Sequence, residues 1–312
     1  MNFNFFVIKL VRALLTLGVV ITFTFVVLML SGDPIENLVG DDAPPEVVEY
    51  YTIKYGLDRP LHEQYFSYIG AIMVGDFGVS FSDDTPALEL VLEAIPKTIQ
   101  LGLTAFLVSL AISIPLGVTA ALHRNKPIDR FAMSFAVFGF SIPNFFFGIC
   151  LILLFSLTLR ILPSSGSDTW WHLILPVITL ATHEAGTVVR FTRSAMLEVL
   201  NKSYMRTAKA KGVPRRPRIQ WHALPNAAIP IVTILGLRLG HLVAGSIVIE
   251  TVFAWPGVGR LLVNSVTSRE LAVVQAILII VATTMVFANL FVDVMYSWID
   301  PRVRTGGATD KE

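Results

Sequence analysis

Long runs without a single Asp, Glu, Lys or Arg dominate this chain, and its charges gather in clusters between them. A bilayer core of about 30 Å takes about 20 apolar helical residues, because in hydrocarbon each backbone N–H and C=O must find its partner within the segment. Six stretches meet that requirement. Residues 13–30, 98–122, 131–159 and 271–292 carry no formal charge, whereas 173–189 is interrupted by His183 and Glu184, and 229–249 by Arg238 and His241. Pro115, Pro143 and Pro176 fall inside these runs and are read as kinks, which membrane helices tolerate when neighbouring groups satisfy the freed carbonyl. Lys9 and Arg12 precede the first run as they would in a signal peptide. The run is long for that role, however, and Met29, Leu30, Ser31 and Gly32 offer no small-x-small cleavage pattern, so an uncleaved first helix is expected.

The expected fold class is an all-α integral membrane protein with six transmembrane helices and a small external cap. Residues 1–30 form the N-terminal end and first helix, 31–97 the cap, 98–299 a five-helix core containing the loop 201–228, and 300–312 a tail. Lys and Arg are divided unequally between the two sides of such a bundle, seventeen against six. The positive-inside rule then puts both termini and the loop 201–228 in the cytoplasm. Segment 31–97 lies outside and is acidic, yet Tyr50, Tyr51, Tyr55, Leu57, Leu61, Tyr65, Phe66, Tyr68 and Ile69 predict one or two short amphipathic helices rather than a bare connector.

Composition agrees: of 312 residues 54% are hydrophobic and only 15% charged, where a soluble domain carries about 25%. One cysteine, Cys150, sits inside an apolar run, so neither a disulfide framework nor a thiolate metal site is expected within the chain. No Gly-Lys-Ser or Gly-Lys-Thr occurs, which removes a phosphate-cradling Walker A loop, and no nucleophile elbow, His-Glu-x-x-His or ligand-spaced His and Cys cluster appears. The expectation is a membrane protein with no catalytic, cofactor or metal residues of its own, unable by itself to hydrolyse ATP.

The loop 201–228 is the most informative segment. A short helix can start at Ser203 as N-cap and stop at Gly212, with Pro214 just beyond. Tyr204, Thr207, Ala208 and Lys211 then share one face, and the small residues there would let another surface approach closely. Docking to another protein, a polybasic lipid patch, a nucleic-acid patch and plain compliance with positive-inside all fit the charge pattern.

The spacing Arg206-Thr207-Ala208, then Gly212, then Leu224-Pro225 resembles the EAA loop of ABC importer permeases. Arg206 stands where that pattern has Glu and His222 where it has Ile. The run Tyr204-Met-Arg-Thr-Ala-Lys-Ala-Lys-Gly212 with His222-Ala-Leu is similar to the loop of peptide-importer permeases. Gly32-Asp33-Pro34, Leu57-Asp-Arg-Pro-Leu61, Gly75-Asp-Phe-Gly-Val-Ser80, Arg190-Phe-Thr-Arg-Ser194, Glu250-Thr-Val-Phe-Ala-Trp-Pro-Gly-Val-Gly-Arg260 and Asp300-Pro-Arg-Val-Arg304 point to the same dipeptide and oligopeptide permease family. What the resemblance implies is a type I ABC importer permease fold in a bacterial inner membrane, forming half of a peptide pathway. It also implies a second permease, two cytoplasmic ATPases that use ATP and Mg, and an external binding protein. Tyr204, Arg206, Thr207, Ala208, Lys209, Lys211, Gly212, Leu224 and Pro225 would make the ATPase-docking loop.

Charges at membrane depth cost a few kcal/mol or more and normally face a pathway, a partner or a counter-charge. His183 with Glu184, Arg238 with His241, Glu250 and Asp293 are such positions, with Glu184 and Arg238 as candidate counter-charges on adjacent helices. Glu250 and Asp293 are expected near the membrane faces, where exposure is cheaper. In an ion-gradient-driven transporter or channel, Glu184, Arg238 and Asp293 would instead be relay or coupling sites. In a receptor or scaffold, the basic loop would recruit an adaptor or nucleic acid.

Overall fold

The computed structural model describes residues 3–30, 44–54, 58–80, 82, 84–240 and 246–299. Helices follow one another: α1 (Phe3–Leu30), α2 (Pro45–Lys54), α3 (Leu61–Met73), α4 (Ala87–Leu122), α5 (Pro127–Ser141) and α6 (Asn144–Leu151), which continues as a π-helical turn over Ile152–Thr158. Then come α7 (Trp171–Leu200), α8 (Ser203–Ala210), α9 (Leu224–Gly240), α10 (Ile247–Val252), α11 (Val258–Thr267) and α12 (Leu271–Ile299). Among the described residues there is no strand, only an isolated bridge between Val79 and Pro86. Parts of α1 and α12, and the whole of α4 and α7, are long and apolar enough to cross a membrane, and α5 with α6 forms a fifth, sharply bent candidate.

Three expected spans differ in detail. The apolar run 131–159 was expected to be one kinked helix. Instead α5 stops at Ser141 and α6 restarts at Asn144, with a bend of 100° between them. Pro143 is the cause: a proline disfavours the helical region for the residue before it, and Ile142 is extended at φ −86°, ψ 126°. The run 98–122 belongs to a helix that begins at Ala87, with Glu89 in its first turn, because loss of apolar character marks a membrane edge and not the end of helical hydrogen bonding. The run 229–249 is shared between α9 and α10, and His241 lies outside the described residues.

The chain forms two compact units. One spans Thr98–Trp255 with the chain from Ala288 onward, and α7 is its axis: α5, α6, α9 and α10 all pack on it. That packing requires small residues. A Cβ on Gly139 of α5 would lie 2.5 Å from the Thr182 carbonyl oxygen, and one on Gly186 of α7 would lie 2.8 Å from the Ala136 carbonyl oxygen. The two backbones therefore touch, as membrane helices do where glycine and alanine line the contact.

The other unit comprises Asn2–Lys97 and Pro256–Phe287. Its core joins Phe77, Ala87, Val91 and Ala94 to Val258, Val273, Ala276 and Ile277. The aromatic residues of α3 serve to seat it on α1: Tyr65 and Tyr68 rings pack 5.2 and 5.4 Å from Phe25, and the Tyr65 hydroxyl is 2.7 Å from Thr22 Oγ1. Glu270, which is nearly buried, accepts hydrogen bonds from Ser82 N at 2.7 Å and Ser82 Oγ at 2.5 Å. This clasp holds the segment before α4 against the start of α12.

Candidate functional site

Helix α8 ends where its sequence predicts. Gly212 takes φ +76°, Gly212 N donates to Lys209 O at 3.0 Å and Val213 N to Ala208 O at 3.1 Å, the paired bonds of a Schellman termination that a glycine accommodates without a Cβ penalty. Its start is different. Ser203 was expected to cap the helix, but Lys202 occupies the cap position in extended geometry and no side chain bonds the first turn. Lys202 is engaged elsewhere: its Nζ lies 2.9 Å from Glu198 Oε1, and this hydrogen bond holds the ammonium pKa above the usual lysine range.

One apolar side chain fastens α8 to the rest of its unit. Met205 is 4% exposed and packs with Met196, Val199, Ala223, Ala227 and Ile231. Around the rest of the helix Tyr204, Arg206, Thr207, Lys209 and Lys211 are exposed and Ala208 is half-buried. A rigid two-turn helix thus presents a polar face built of short and basic side chains, while its single anchor reaches between α7 and α9. Leu224 is half-buried in the same cluster and Pro225 is exposed at the start of α9. Met205 was not singled out by sequence reasoning, although a lone large apolar residue in a two-turn basic helix was the available signal.

The intramembrane charges separate into distinct environments. Arg238 Nη1 lies 3.3 Å from Glu184 Oε2, bringing α9 and α7 together through an ion pair whose members keep 34% and 29% side-chain exposure. His183 lies beside it in sequence but turns away to pair its Nδ1 with the Gly139 carbonyl oxygen at 3.1 Å. Asp293 falls in α12, and nothing further is described of its side chain. Glu250 overturns the expectation of an exposed position near a membrane face, since it is fully buried and accepts hydrogen bonds from Thr98 Oγ1 and Ser246 Oγ, both at 2.8 Å. Two hydroxyl donors replace the water that exposure would have supplied.

One buried carboxylate escaped the sequence reading. Asp129, 3% exposed, receives Arg193 Nε at 2.6 Å and Nη2 at 2.8 Å in a forked pair, and Asn125 N at 2.8 Å. It precedes the charge-free run 131–159, so a span defined by absence of charge leaves it out, while Arg193 counts only toward the positive side. The pair ties the turn between α4 and α5 to α7. Among the described residues, no group of three or more His, Cys, Asp or Glu is placed to hold a metal ion.

Comparison with known proteins accounts for this arrangement. Residues 113–305 match the family described as binding-protein-dependent transport system inner membrane component, and residues 2–102 match the N-terminal region of the same kind of membrane component. The glutathione transport system permease protein GsiC of Escherichia coli (strain K12) and that of Salmonella typhimurium (strain LT2) are each 40% identical over 302 residues, covering 96% of this chain and 99% of theirs. The inward-facing MetNI methionine ABC transporter superposes with a TM-score of 0.56 at 16% identity, over 68% of this chain and 96% of that one. An amino acid ABC transporter with histidines gives 0.51 at 18%, over 69% and 94%. At such identities these two structures speak for a shared fold, that of type I importer permeases. With an anchored basic helix between two apolar ones, no nucleotide loop of its own and family matches along nearly its full length, the chain belongs to the binding-protein-dependent inner membrane permeases and is a membrane subunit of an ABC importer.

Proposed function

We propose that this chain pairs with a second permease to form half of an inner-membrane pathway for short peptides of the glutathione, dipeptide or oligopeptide class. Both termini lie in the cytoplasm, an external binding protein delivers the substrate, and two cytoplasmic subunits supply ATP hydrolysis with Mg. The observation that carries the reading is α8, which is fastened by Met205, closed by Gly212 and otherwise largely exposed. Closure of an ATPase pair would move such a helix as a rigid body, and the Met205 anchor would pass the displacement to α7 and α9. The peptide class is supported by the loop sequence and by the name of the 40%-identical permeases. Glu184 with Arg238, together with His183, His241, Glu250 and Asp293, are the charges that would line or brace the pathway. An ion-gradient transporter or an adaptor scaffold finds no support in the family matches.

The test is to express the chain with its presumed partners and extract it in mild detergent, comparing wild type with Lys209→Glu/Lys211→Glu. The wild type should retain a second permease and Walker-containing ATPases, and the variant should lose peptide-stimulated ATP hydrolysis. A chain that purifies alone, or uptake that is unchanged in the variant, would refute the docking role.

A further inference from the structure

Two features beside α9 and the C-terminal half of α4 lie next to the packing that holds α8. The first is an apolar groove of about 340 Å³ between these helices, lined by Ile114 and Val118 from α4 and Leu224, Ala228, Ile231 and Leu235 from α9. Its size falls within the roughly 300–1,000 Å³ of sites that hold small ligands. The second is a cluster of cations at the ends of the same two helices. Arg215 Nη2 donates to the carbonyl oxygen of Leu122, the last residue of α4, at 3.3 Å. This bond brings the turn after α4, with Arg124 and Lys126, to the segment before α9, with Arg215, Arg216 and Arg218. Arg124, Lys126, Arg215 and Arg216 are all exposed. Val118 is one helical turn from Leu122, about 6 Å along the axis, so the groove ends beside the cations.

Acidic side chains in the neighbourhood already have partners: Asp129 is paired with Arg193 and Glu198 with Lys202. Trp221, 75% exposed, stands between the arginines and α9, and indoles concentrate at headgroup level in membranes. An apolar slot of this size, ending beside exposed arginines, matches an amphiphile with a negative head.

We propose that the groove and the cluster form a binding site for an anionic phospholipid of the cytoplasmic leaflet, an acyl chain lying between α4 and α9 and the phosphate meeting Arg215, Arg216 and Arg124. Arginine forks match phosphate oxygens in pairs, and basic pockets between membrane helices on this face select acidic headgroups. A soluble acidic protein would match the arginines but leave the groove empty, and a partner helix would fill the groove but leave the arginines unmatched. Ala227 and Ile231 of α9 also pack on Met205, so an occupied groove would brace the wall that holds α8 and link lipid composition to coupling. The proposal rests on the cytoplasmic placement of residues 201–228, not on the substrate.

The complete importer, purified in mild detergent, would be exchanged with phosphatidylglycerol, cardiolipin or phosphatidylcholine, and the retained lipids counted by native mass spectrometry. Wild type should retain the two anionic lipids over phosphatidylcholine. Arg215→Gln/Arg216→Gln should lower anionic retention by about fivefold for each arginine neutralised, and Ala228→Phe should lower retention of every lipid. Equal retention of phosphatidylcholine and phosphatidylglycerol, or retention unchanged in the arginine variant, would overturn the site. So would crosslinking of Ala228→Cys, in a Cys150→Ser background, to the second permease. Subunits appear in the same spectra, so an intact complex without lipid preference removes the lipid site alone, whereas a chain without ATPases removes the importer reading.

Discussion

Replacing Asp129 by alanine should destabilise the unit built on α7. The carboxylate is 3% exposed and receives three short hydrogen bonds, two of them from one guanidinium. Removing it leaves Arg193 facing a methyl group and Asn125 N without its acceptor. Breaking a buried pair in this one-sided way costs about 3–5 kcal/mol, but Arg193 keeps 21% side-chain exposure, and water reaching it brings the figure to about 2–3 kcal/mol. For a unit of this size each kcal/mol moves the melting temperature by about 2–4 °C, so a loss of roughly 4–12 °C is expected. Size-exclusion peak height after heating in one detergent would measure it for Asp129→Ala, Arg193→Ala and the double variant. Coupling between the two sites should be at least about 1 kcal/mol, since the residues share a forked bond. Single-variant effects that add to within about 0.5 kcal/mol would refute the pairing as a source of stability.

Gly139→Ala should lower stability by about 1–3 kcal/mol, because its methyl group meets the Thr182 carbonyl oxygen at 2.5 Å and α5 must move off α7; an unchanged melting temperature would contradict the backbone contact. Met205→Ala should cost about 2–5 kcal/mol of local packing, and limited proteolysis after Lys209 and Lys211 should speed up while α7 stays protected; an unchanged digestion rate would mean another contact holds α8. For Glu184 and Arg238, each charge reversal should reduce the amount of assembled importer, and the double swap should restore part of it. A double variant that assembles no better than either single one would remove the pair as an organising contact.

The apolar runs and their charged borders determined the all-helical membrane class directly, because hydrocarbon tolerates no unsatisfied backbone and cations prefer one side. The local stop of α8 was equally legible, since Gly212 followed by Pro214 admits few other conformations. What local pattern could not decide was where buried polar groups find partners. Glu250 sits near the end of an apolar run and looks exposable, yet Thr98, 152 residues earlier in the chain, supplies one of its donors. Asp129 lies just before an apolar run and looks solvated, yet Arg193 of α7 covers it. Pro143 announced a disturbance, but the 100° turn that followed depended on the restart of helix at Asn144. Hydrophobic period and charge report on the nearest few residues and on the solvent, whereas ion pairs, glycine contacts and the seat of Met205 are set by helices that meet only after the chain has folded.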